Sequence, residues 1–385
     1  MWWDRRVSAA DHSSEPDSGA VSGAAAVPVL WSPETRAHDP LHEVWVGKET
    51  PAVEVAERVD AIKDALREAG HDLREVGGRD DLDRVLLTVH DRGLLEFLSG
   101  AAERWADGDY DAAVGQQRVV PYLFPTPAMA AGLPLRTPTA IHAEAGTYAF
   151  DTTTLVGPGT WTAARAAAAC ALAAADLVLD GAPLAYALSR PPGHHATPAG
   201  YGGSCYLNNA ALAAQVLRAG GHDKVAIVDV DAHHGNGTSA VFYARADVSY
   251  ASVHVDPGAG WFPHYVGFAD ETGSGHGRGT NRNLPLPPGS GDEAWVEAVS
   301  DLADWSCAGG ATALVVSLGV DAAAEDPESP LRVSAAGYRE TGRLLGATGL
   351  PAVLVQEGGY HLPSLGDLVA AYVEGHTSAA LGGRL

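Results

Sequence analysis

Apolar residues recur at helical spacing over residues 52–69, where Val55, Val59, Ile62 and Leu66 share a face and Gly70 offers a C-cap. A second short helix is predicted over 94–105, and the alanine-rich stretch 161–180 is helical by propensity. Beyond it the pattern changes. Short continuous apolar runs at 185–188, 225–230, 250–253, 313–318 and 352–355 read as strands, with helix-like segments such as 210–219 and 294–305 between them. Continuous apolar strands separated by helices predict an α/β fold, with a parallel sheet covered on both faces. In such sheets ligands bind beyond the carboxyl ends of the strands. Residues 119–160 are rich in Pro, Gly and Thr with little periodicity, and read as a long functional or mobile loop. Residues 1–26 show no sustained period and are expected to be a disordered extension. No internal repeat or low-complexity linker interrupts 27–385, so one catalytic domain is expected there.

Charge narrows the partners. Asp and Glu number 48 against 25 Lys and Arg, a formal net charge of -23 over 385 residues. Such a chain repels phosphate backbones, so no nucleic-acid partner is expected, and it suits a cationic small molecule. Cys170, Cys205 and Cys307 are scattered, which excludes a disulfide scaffold and points to reduced, cytoplasmic thiols. No run of about 18 uncharged apolar residues is evident, so no membrane span is expected. Arg5-Arg6 are followed by a polar stretch, 11–18, and no signal peptide is read.

Four segments carry chemistry, each at or just past an apolar run. Asp231 and His233 lie two apart in DVDAHHGNG, and a carboxylate with an imidazole suits a borderline ion such as Zn²⁺. Asp321, after SLGV, would supply a third ligand, and three protein ligands leave a position open for water. In RPPGHHA the rigid Pro-Pro-Gly projects His194 and His195. Both could be ligands, or one could be a general base. In EGGY the paired glycines let the chain turn tightly and bring Tyr360 into a site as an O–H donor to a developing oxyanion.

RPPGHHA, CYLNNA, DVDAHHGNGT, SLGVDAAAEDP and EGGY together resemble the arginase/deacetylase superfamily, and within it the zinc-dependent histone-deacetylase-like amidohydrolases. The likeness runs from about Val27 to the C-terminus, and SLGVD…DP, HHGNGT and EGGYHLPSLG are most similar to the acetylpolyamine amidohydrolase branch. The resemblance implies a three-layer α/β fold with a central, mostly parallel sheet of about eight strands. It implies one Zn²⁺ held by Asp231, His233 and Asp321, and His195 as general base with His194 as electrostatic or acid partner. Tyr360 would polarise the carbonyl, and Asp229 and Asn236 would orient the two histidines. It further implies a structural K⁺ near Asp229 and Ser252, Phe262 as one aromatic wall of the acyl channel, and a homodimer paired through the long loop. The activity implied is hydrolysis of an N-acetylated, polyamine-like amine to acetate and free amine.

The sequence also departs from that pattern. Ser204 stands where the second aromatic wall is expected, which predicts a wider or more polar channel and opens the alternatives of a bulkier acetamide or an acetyl-lysine protein. Where polyamine deacetylases place acids to hold distal ammonium groups, the matching positions here are His142 and Thr153, with Glu144 the nearest carboxylate. Gly235 and Gly319 replace the further acids of the two-manganese ureohydrolase branch, so a single-metal site is expected. A silent binding module would lack a ligand or the Tyr, and all are present.

Overall fold

The computed structural model describes residues 26–382. The expected disordered extension, apart from Ala26, lies outside them.

Eight strands form one sheet, all pairs parallel. In chain order they are β1 (Pro28–Trp31), β4 (Asp72–Glu75), β5 (Leu184–Ala187), β6 (Val225–Asp229), β7 (Val248–Val255), β8 (Asn281–Leu286), β9 (Ala313–Leu318) and β10 (Ala352–Gln356). A separate antiparallel hairpin, β2 (His42–Trp45) with β3 (Lys48–Pro51), accounts for the missing numbers. The sheet order is β4-β1-β5-β10-β9-β6-β7-β8.

The three layers follow from side-chain alternation on the central strands. Val225, Ile227, Ala313, Val315, Val353 and Val355 face helices Arg92–Asp107, Thr160–Leu179 and Asn209–Ala219. Ala226, Val228, Leu314, Val316, Ala352 and Leu354 face helices Glu57–Glu68, Asp292–Ala308, Ala335–Gly346 and Leu362–Gly382. Strands with both faces covered are apolar throughout, which is why these runs were legible as strands.

The edge strands were not. β1, β4 and β8 are polar or short, as edge and near-edge strands tend to be. The 119–160 stretch also holds a helix, Ile141–Tyr148. Thr160–Leu179 is long and apolar enough to cross a membrane by length and composition, yet 67% of its apolar window is buried inside the fold. Alanines dominate that buried face and let the helix approach the sheet closely.

The order has one decisive consequence. β5, β10, β9 and β6 are consecutive neighbours at the centre of the sheet, although they span residues 184–356 of the sequence. Their carboxyl ends release RPPGHHA, EGGY, SLGVD and DVDAHH onto the same edge.

Candidate active site

Asp231, His233 and Asp321 converge. One ligand atom from each lies within 4.8 Å of the others, and all three groups are buried. β6 ends at Asp229, so the loop beyond it, rather than strand alternation, aims Asp231 and His233. His233 Nε2–H donates to the Glu328 carbonyl at 3.1 Å, which leaves the Nδ1 lone pair facing Asp321 Oδ2 at 3.0 Å and Asp231 Oδ1 at 3.3 Å. Against burial, the Asp231 and Asp321 carboxylates hold the His233 ring well above its ordinary value, so this spot attracts positive charge, whether a proton or a metal ion. Burial and the neighbouring Asp231 push Asp321 up to about 7, which also marks a spot short of positive charge.

Backbone shapes the pocket around these carboxylates. Gly358 N–H donates to Asp231 Oδ2 at 2.8 Å, and Ala232 N–H donates to Asp321 Oδ1 at 2.8 Å. A Cβ at Gly319 or Gly358 would collide with the Asp231 carboxylate, so both glycines are required by close approach. The donor set of two carboxylates and one imidazole, cradled in this way, fits a single Zn²⁺.

The tandem histidines stand beside this cluster, 3.9 Å apart by ring centroid. His194 Nδ1–H donates to Asp229 Oδ2 at 3.0 Å, and His195 Nδ1–H donates to Asn236 Oδ1 at 2.7 Å. Burial alone would depress His194, but the Asp231 and Asp229 carboxylates override it and push it up to about 10. Burial, reinforced by the His194 charge, holds His195 well below its ordinary value. Adjacent rings therefore sit in opposite protonation states, one cationic and one neutral. The main chain at this turn is tied to the segment just past β10, since Glu357 Oε2 accepts from Gly193 N at 2.6 Å and His194 N at 3.1 Å.

Tyr360 lines the same cavity as His195 and His233. Burial pushes its phenol far up despite the Arg58 guanidinium 4.9 Å from the ring centroid, so it stays a neutral donor. Its backbone is locked from outside the motif. Asp326 Oδ2 accepts from Tyr360 N at 2.6 Å and His361 N at 3.2 Å. Arg58 donates to the Gly359 carbonyl at 2.6 Å and the Glu357 carbonyl at 2.5 Å. Glu54 Oε1 accepts from Arg58 at 2.7 Å and from Arg190 at 2.8 Å, linking the Tyr360 turn to the histidine turn.

These supports were missed by sequence reasoning. Asp326 carried a signal, because an Asp ahead of Pro-Glu marks a turn. Glu54 and Arg58 carried none beyond their spacing of four.

The cavity has a volume of ≈ 630 Å³, and its upper part comes from scattered segments. Phe262 lies edge-on to His195 at 4.8 Å, and Ser204 and Thr153 also face the space. Two carboxylates line it that sequence reasoning did not single out, Glu43 on β2 and Glu328 after β9. His142 and Glu144 are not among the lining residues. His142 Nδ1 pairs with the Tyr110 hydroxyl at 2.6 Å, and Glu144 pairs with Arg104. Asp229 and Ser252 are register partners on β6 and β7, but Asp229 Oδ2 also accepts from Tyr250 OH at 2.9 Å and Ser252 Oγ faces His254 Nδ1 at 2.7 Å.

Comparison with known proteins agrees with this geometry. The histone deacetylase domain family matches residues 52–376. The acetylpolyamine amidohydrolase of Mycoplana ramosa is 41% identical over 352 residues, covering 90% of this chain and 98% of that protein. Acetylpolyamine amidohydrolase 1 of Pseudomonas aeruginosa is 39% identical and covers 91% and 99%. The crystal structure of an acetylpolyamine aminohydrolase from Burkholderia pseudomallei superposes with a TM-score of 0.85 at 39% identity, covering 92% of this chain and 99% of that one. By sequence and by fold the chain belongs to the histone deacetylase domain family, together with the acetylpolyamine amidohydrolases, and it is a hydrolytic enzyme.

Proposed function

We propose that the chain is a zinc amidohydrolase that cleaves the acetamide of an N-acetylated polyamine-like amine. The observation that carries the reading is the convergence of His233 Nδ1 with the buried Asp231 and Asp321 carboxylates, one ligand atom of each within 4.8 Å of the others, beside the His194–His195 pair. Asp231, His233 and Asp321 would hold the Zn²⁺, which when bound polarises the amide carbonyl and acidifies water.

The chain's own groups supply the proton chemistry. His195, with Nδ1–H committed to Asn236, turns its Nε2 lone pair to the cavity and takes the proton from the attacking water. His194, its Nδ1–H held on the buried Asp229 carboxylate, lends positive charge beside the reacting centre. The Tyr360 O–H donates to the carbonyl oxygen as it gains charge. The leaving amine needs a proton, and the histidine pair is the nearest source.

A cationic substrate is supported by the pocket's carboxylates and by the relatives' names. Glu43 and Glu328 have no cation partner among the described ion pairs. Burial and Glu328, with Asp151 and Glu54 adding, push Glu43 up to about 7, so an incoming ammonium would be welcomed there. Pairing of two copies is supported by the exposed Tyr122, Met129, Leu133 and Leu135 of the long loop. A K⁺ near Asp229 and Ser252 has only their adjacency in its favour.

The test is acetate release from N-acetylated putrescine, spermidine and lysine peptides, with and without a chelator. Chelator-sensitive release, largest on the polyamines, is expected. No release from any substrate in the zinc-loaded protein would overturn the hydrolase assignment. Release only from a bulkier acetamide would overturn the polyamine assignment alone.

A further inference from the structure

The sheet has a second recess, at the end opposite the metal cluster. A cavity of ≈ 260 Å³ lies at the amino ends of β6, β7 and β8, lined by Lys224, Ser249, Gly279, Trp305, Ala308 and Gly309. Strand alternation decides which side chains face it. Ser249 is the register partner of Ala226, which packs in the layer that holds helix Asp292–Ala308. Lys224, two residues before Ala226, emerges on the same face, and Trp305 is supplied by that helix.

Two polar groups in this recess lack partners. Ser249 is 3% exposed, and its Oγ has no hydrogen-bond partner. A buried hydroxyl in that state is a standing cost that a ligand oxygen would remove. Lys224 has no carboxylate partner among the described ion pairs. Its Nζ stands 3.7 Å from where a Cβ on Gly309 would lie, so the ammonium is held at the carboxyl end of helix Asp292–Ala308, where the helix dipole favours a cation. A Cβ at Gly279 would meet nothing within 4 Å, which leaves open space on the far side.

The lining defines the occupant. One ammonium and one hydroxyl suit a single carboxylate, which can accept from both. A phosphate dianion would find one cation here in a chain of net charge -23. Trp305, Ala308 and the two glycines offer an apolar surround in which a flat body can lie on the indole. Ligand pockets usually start at about 300 Å³, so the body that fits this recess is a single ring. We infer that the recess binds a small planar monocarboxylate, a benzoate-like anion, at a site separate from the catalytic cavity. The inference does not depend on the amidohydrolase reading.

The test titrates benzoate, neutral benzamide and inorganic phosphate into the zinc-loaded protein by calorimetry. Saturable benzoate binding is expected, with benzamide and phosphate each about tenfold weaker. Lys224→Met should weaken benzoate about tenfold and leave benzamide unchanged, and Ser249→Ala should weaken both about threefold. Ser249→Leu fills the recess and should abolish binding of both, with the denaturation midpoint and acetate release maintained, which guards against a folding defect. Benzoate held at the metal instead would survive all three substitutions. Benzoate affinity unchanged in Lys224→Met and Ser249→Leu, phosphate binding tighter than benzoate, or no saturable benzoate binding would overturn the assignment.

Discussion

The floor and the rim of the cavity are built on opposite plans. The floor comes from four neighbouring parallel strands, and its histidine pair is held by hydrogen-bond partners from other elements: Asp229 on His194, Asn236 on His195, Glu357 on the histidine turn. The rim comes from a hairpin and irregular loops, with Trp45 64% and Tyr265 89% exposed. A floor of this kind fixes reacting atoms and tolerates little change. A rim of this kind can be rebuilt residue by residue. Chemistry is therefore expected to fail abruptly when the floor is altered, and preference to drift gradually when the rim is.

The largest effect is expected at the floor. Asp321→Ala removes a ligand and leaves Asp231 and His233 without their third partner. Zinc content measured by plasma mass spectrometry should fall well below one per chain, and acetate release should drop by about a thousandfold or more. Stoichiometric zinc in that variant would break the ligand assignment. Tyr360→Phe deletes one donor to the developing oxyanion and nothing else in the fold, because Asp326 and Arg58 hold the backbone rather than the phenol. Its kcat should fall about 10²- to 10³-fold with zinc retained. Normal kcat would remove Tyr360 from the mechanism.

The same division explains what could be read from sequence. β9 matches the apolar run at 313–318 residue for residue, and the runs at 225–230 and 352–355 differ from β6 and β10 by one residue, because strands covered on both faces cannot afford polar interruptions. The residues of the floor sit at the carboxyl ends of those runs, so fold and site were legible together. The rim was not. Glu43 and Glu328 reach the cavity from segments with no periodicity, and only tertiary contacts bring them there. Glu144 looked like the replacement acid because it lies two residues from His142 in sequence, but the helix that carries it, Ile141–Tyr148, turns it to Arg104. β4 and β8 escaped for a related reason, since edge strands carry polar residues that mask the period, and β1 escaped because it is only four residues long.

Acid should weaken the floor through its surroundings. His38, His90, His254 and His376 are buried, and burial, the first cause for each, lowers all four to about 4. The sign follows from proton counting. Between pH 6.5 and 4 the unfolded chain binds protons at these sites and the folded chain does not, so stability falls as pH falls through that window. At pH 5 each contributes about 2 kcal/mol of destabilisation. Chemical denaturation midpoints should therefore fall steeply from pH 7 to pH 5, and His376→Gln, distant from the metal cluster, should make that slope shallower. A midpoint independent of pH over this range would refute the neutral burial of these rings.

The smallest effect sharpens the rim. Glu43 titrates near 7 because burial and Glu328, with Asp151 and Glu54 behind it, disfavour its charge. Its carboxylate form attracts an ammonium and its acid form does not, so affinity for a cationic substrate should rise as pH rises through 7. The ratio of KM for N-acetylputrescine to KM for neutral N-butylacetamide isolates this, because proton transfer at His195 and Tyr360 affects both substrates alike. That ratio should fall about fivefold between pH 6 and pH 8, an interaction of roughly 1 kcal/mol for a partly solvated pair. In Glu43→Gln the ratio should be flat and kcat for both substrates close to that of the unaltered protein. Glu328→Gln should lower the pH at which the ratio changes, because Glu43 would then ionise without its neighbour's charge. A pH-independent ratio in the unaltered protein would show that the distal ammonium never reaches β2, and would shift recognition of the cation to Glu328 or away from the rim altogether.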